Sequence, residues 1–269
     1  MQRRALLTLM VVAVGLPWAL SPAFPGGGPK QPSQEATLEL APAELLAILK
    51  SDVGRLAATT QAEKEFRSQS RVLQNDALAL AVYAQIRMNE SDKEMARRLA
   101  TIRNGALGFA EAARQKNAGE AKKAIAPAEG SEPLSPASTQ PRSAHITLTK
   151  LMPMTNLMEH LGLLNITISE YEQLTSADWG LDAKSTDAVR HTWKLTALVR
   201  VIEAYTPAED PNPKKGQTRK LWAEATHDTG EAAGALHVAA RARRGDDFKA
   251  GLQKLEAACN RCHQVYRVE

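Results

Sequence analysis

Apolar residues recur every three or four positions through most of this chain, and alanine fills many of the places between them. After Pro42, a good first-turn residue, the stripe runs Leu45, Leu46, Leu49, Val53, Leu56. Further stripes cover about 68–88 and 91–116, with Ser91 read as an N-cap and Glu94 as its capping-box partner. Alanine is the best helix former, whereas strands enrich aromatic and β-branched side chains. Only 4% of the residues are aromatic, so the pattern predicts an all-α fold.

Between Pro127 and Ser143 the stripes stop, and four prolines and four serines in 17 residues predict a linker. Beyond it, helices are expected at about 147–164, 185–205, 217–244 and from 246 to the C-terminus. Pro207, Pro211 and Pro213 make one break and Gly245 another. The expected organisation is a segment 1–23 to be removed, a flexible leader 24–35, a helical domain 36–126, a linker 127–143 and an antiparallel four-helix bundle 144–269. The halves resemble each other: Gly105–Arg114 matches Gly234–Arg243 at six of ten positions. The first half therefore reads as a degenerate repeat of the second that lacks most of its fourth helix.

The segment 1–23 has the layout of a secretory signal. Arg3 and Arg4 precede an apolar run from Ala5 to about Leu20, and Ser21, Pro22 and Ala23 supply a small-residue cleavage site. An uncleaved membrane anchor is the alternative, weakened by Pro17 and by the shortness of the run. In either case the rest of the chain is expected outside the cytoplasm, in the periplasm of a bacterium or otherwise exported, and soluble once the signal is gone. The formal charge of +4 does not call for nucleic acid as a partner. Two cysteines exclude a disulfide-framework fold and a four-cysteine zinc site.

Those two cysteines carry the clearest chemistry. Cys259-Asn260-Arg261-Cys262-His263 is a Cys-x-x-Cys-His run, in which two thiols can add to the vinyl groups of one haem while the adjacent imidazole reaches the iron. A thioredoxin-like dithiol would sit at a helix start after a strand, but here Leu252, Leu255 and Ala258 lead in at helical spacing. A zinc site would need a fourth ligand, and a disulfide across two residues closes almost no loop. The expected cofactor is one covalent haem c.

The run Cys259-x-x-Cys262-His263-x-x-Tyr266-Arg267 at the end of a four-helix chain resembles the cytochrome c′ family over about residues 145–269. The resemblance implies Cys259 and Cys262 as haem attachments, His263 as the proximal iron ligand, and Arg267 as a basic residue beside it. It also implies that a residue of the first helix of that bundle covers the distal face. That helix reads Leu151-Met-Pro-Met-Thr-Asn-Leu-Met-Glu-His-Leu161. Met154 and Met158, four apart on one face, are candidate distal groups, Met154 being the preferred axial ligand. A second alignment brings Thr155 nearest the iron, and methionines packed simply as core are the plainer reading.

The function so implied is single-electron transfer by an exported monohaem cytochrome, with a redox protein as partner, no enzymatic activity and a homodimer as a state known in the family. A five-coordinate carrier of nitric oxide or carbon monoxide is the alternative. A third reading, from a different class, is an assembly module whose first half binds a partner. His145, His160, His191, His227 and His237 read first as surface or partly buried side chains, with His160 the first suspect for a second iron ligand. Trp193 and Trp222 are expected in the bundle or against the macrocycle, which would supply much of the second core and leave the apo form loosely folded. Arg241, Arg243, Arg244, Lys249 and Lys254 read as a solvated face or as a dock for an acidic partner.

Overall fold

The computed structural model describes residues 40–88, 92–130, 147–174, 176–180, 182–205 and 216–266. The expected signal, the leader, Ser91, His145, the three-proline break, Arg267 and all but the first four residues of the expected linker lie outside them. The described structure is all-α. Its helices are α1 Pro42–Thr59, α2 Glu63–Met88, α3 Lys93–Arg114 and α4 Ala118–Glu129 in the first half. The second half holds α5 Leu148–Leu151, α6 Met154–Ser169, the 3-10 turn Glu170–Gln173, α7 Ser176–Gly180, α8 Asp182–Ala204, α9 Arg219–Arg241 and α10 Gly245–Tyr266. None of the described helices is long and apolar enough to cross a membrane.

Local sequence explains most of the ends. Pro42 opens α1. Asp92 rather than Ser91 caps α3, its carboxylate accepting from the Met95 N–H, and Glu94 pairs instead with Arg98 one turn on. Asn117 caps α4 and Thr218 caps α9 in the same way. Helix α4 runs through Pro127 to Glu129, three residues into the stretch whose prolines predicted a linker.

Two helices are buried on nearly every side, and they organise the rest. In α2 the run from Ala77 to Gln85 is wholly buried, and in α8 the run from Thr192 to Val199. The α2 run is apolar from Ala77 to Ala84, the pattern of a helix inside a core, while the α8 run buries Thr192, Lys194 and Thr196 with hydrogen-bond partners. Helix α2 packs against α1 and α3 in its own half and against α6 and α8 of the other. Tyr83 of α2 meets Trp193 of α8 with ring centroids 5.5 Å apart, and Trp193 is 0% exposed. The two helical bundles thus pack on each other, and the described helices all fall in one compact unit. The second core is lined by side chains, Trp193, Leu198, Leu236, Phe248, Leu252 and Leu255 among them.

The halves end alike. In the turn from α3 to α4, Lys116 takes φ 57° while the Lys116 N–H donates to the Ala113 carbonyl and the Asn117 N–H to that of Ala112. In the turn from α9 to α10, Arg243 takes φ 54°, its N–H donates to Ala240, and the Arg244 N–H to Ala239. Both turns therefore close a helix with a basic residue in the left-handed position usually given to glycine. The break assigned to Gly245 is made by Arg243; Gly245 is already the first residue of α10.

Candidate functional site

Helix α10 carries the Cys-x-x-Cys-His run in its last two turns. Its inward stripe is Phe248, Leu252, Leu255 and Ala258, all buried, and Cys259 and Cys262 continue that stripe where it emerges from the core. Cys259 packs against the core edge, and both thiols are free. Burial pushes the Cys259 thiol pKa up, with Cys262 and Glu256 adding to the effect, and burial raises that of Cys262 as well. His263 is exposed.

Contacts with α9 and the two residues before it hold this end of the helix in place. Gln217 Nε2 donates to the Val265 carbonyl at 2.6 Å and Tyr266 Oη to the Thr218 carbonyl at 2.6 Å. The Trp222 and Tyr266 rings cross edge to face at 5.0 Å, and Arg261 reaches Asp228 at 3.1 Å. Trp222 therefore serves this junction, and Trp193 the centre of the molecule.

The expected haem site is corrected by this arrangement. Among the described residues no group of three or more His, Cys, Asp or Glu side chains is placed to hold a metal ion. Cys259, Cys262 and His263 lie along one helix, with the thiols on the half-buried stripe and the imidazole turned out to solvent. The methionine helix is committed elsewhere: α6 packs on α8 and α2, and Met154 and Met158 lie against the hydrophobic core as packing residues. The readings that needed iron fall with the site: a c-type cytochrome, haem c as cofactor, single-electron transfer, and the nitric oxide or carbon monoxide carrier.

The histidines take structural positions. His227 is exposed beside Glu231, and His191 accepts or donates at 2.8 Å with the Tyr171 hydroxyl. His237 is 0% exposed. The Thr192 hydroxyl lies within hydrogen-bond distance of the Ala188 carbonyl, at 2.8 Å, and of Nδ1 of His237, at 3.0 Å. Nε2 of His237 is buried without a partner. Burial, with Arg241 nearby, holds the pKa of this imidazole down at about 4, against a smaller opposing bond to the Val189 backbone.

His160 belongs to a polar belt between the halves. Its Nδ1 lies 3.3 Å from Asp76 Oδ1, while Arg55 donates to Asp76 Oδ2 at 2.7 Å. Asn156 donates to Asn75 at 2.7 Å, and Glu159 accepts from both Asn75 and Arg71. Deepest is Lys194 of α8, whose ammonium donates to Asp52 of α1 at 2.7 Å with both side chains 9% exposed. Burial lowers the pKa of Lys194, and Asp52 pulls it back up. Burial works to raise that of Asp76, but His160 and Arg55 outweigh it and hold the carboxyl below its ordinary value. Sequence reasoning passed over this belt, although Asp52 interrupting the stripe Leu49, Val53, Leu56 and Lys194 beside Trp193 were visible as charges at core spacing.

No protein-family model, curated protein or solved structure matches the chain.

Proposed function

We propose that this chain is an exported, non-catalytic helical protein that works by docking a protein partner on the outer face of α6. The observation that carries this reading is the pair Leu163 and Ile166, 43% and 65% exposed and one turn apart. Exposed Gly162 lies beside them, on a helix whose opposite stripe, Leu157, His160, Leu164 and Ile168, is buried. Isolated exposed apolar side chains are ordinary, but adjacent ones on one helical face are what a helix-docking partner covers. Export is supported by Arg3, Arg4, the apolar run after them and Ser21-Pro22-Ala23. A second copy of the chain is one form the partner can take.

The test is site-specific photocrosslinking in producing cells from position 166, with position 221 as control, since Leu221 is an exposed apolar side chain on a different helix, α9. The expected result is a discrete crosslinked species from position 166 only, lost in Leu163→Glu. Equal labelling from both positions, or none from 166, sinks the reading. Sedimentation of the purified chain then tells a second copy from a different protein.

A further inference from the structure

We draw no further inference here: the strongest candidate, the side-chain cluster of Asp52, Arg55, Asp76, His160 and Lys194 on the wall between the halves with buried Tyr83 of α2 beside it, carries nothing, because its charges are spent on one another within the belt already described and nothing in the structure shows a ligand that the Tyr83 hydroxyl would bind.

Discussion

The two helical halves close themselves differently. In the first, α1, α2, α3 and α4 each pack on the next, and α4 returns to α1. In the second, α8, α9 and α10 follow the same order, but α6 turns to α2 as well as α8, and α10 meets the 3-10 turn that follows α6. The first half is a ring complete in itself; the second is completed by the first. The charge distribution follows that difference, since the buried ion pair lies on the shared wall.

The largest expected effect comes from that wall. Lys194→Met leaves the Asp52 carboxylate buried and unpaired, a change that costs about 3–5 kcal/mol, whereas Asp52→Leu with Lys194→Met removes both charges and falls near neutral. Urea unfolding of the three proteins measures this. A single substitution costing less than about 1 kcal/mol would show that the wall is not what completes the second half.

Acid provides the second way to separate the halves. The folded pKa of His237 is depressed to about 4 from its ordinary 6.5, so the unfolded chain takes up the proton first. Stability is then fully present above about pH 6.5 and declines towards pH 4, by at most about 3 kcal/mol. Asp76 also has a depressed folded pKa, but its contribution is lost only as pH falls below its ordinary 3.8. Amide exchange at pH 7 and pH 4.5 is expected to show α8 and α9 loosening before α2 and α3. His237→Gln should flatten that dependence, and an unchanged pH profile in the variant would refute the assignment.

The smallest effect sharpens the comparison at the paired helices. Gly108 of α3 faces α4 so closely that an added Cβ would lie 2.9 Å from the Ala124 methyl. In the second half the close approach is made from the other helix, with Gly251 of α10 against Leu236 of α9 at 3.3 Å. Gly108→Ala is expected to lose about 1–2 kcal/mol, overpacking outweighing the gain of about 1 kcal/mol in helix propensity. In Gly251→Ala the two nearly cancel, and thermal unfolding of the pair reads the difference.

How much of this was legible follows from which signals are local. The helices, the Pro42 start and the all-α class were readable because periodicity and propensity act within a few turns. Of the two central helices α2 was readable in principle, since the run Ala77–Tyr83 contains no polar residue, which a surface helix would need, whereas α8 carries Thr192, Lys194 and Thr196 within its buried run. What could not be read was which helix α6 would choose. The expectation of an iron site required α6 to present Met154 and Met158 to the end of α10, and nothing in the stripe of α6 states that its partners are α2 and α8. The left-handed turns were hidden for a different reason, since Lys116 and Arg243 occupy positions where glycine would have announced them. The six-in-ten match between Gly105–Arg114 and Gly234–Arg243 also misjudged the register. It shifts residues by 129, whereas the turn bonds of Ala113 and Ala240, and the starts of α4 and α10 at Ala118 and Gly245, correspond at a shift of 127.

Helix α2 has one further consequence, because a single rod serves as the inner wall of both cores. A shortened polypeptide beginning at Thr147 would present the bare flanks of α6 and α8, with Lys194 reaching for a carboxylate that is no longer there. Supplied as a separate chain, residues 40–130 would restore both, so the two pieces are expected to find each other and rebuild the whole by complementation.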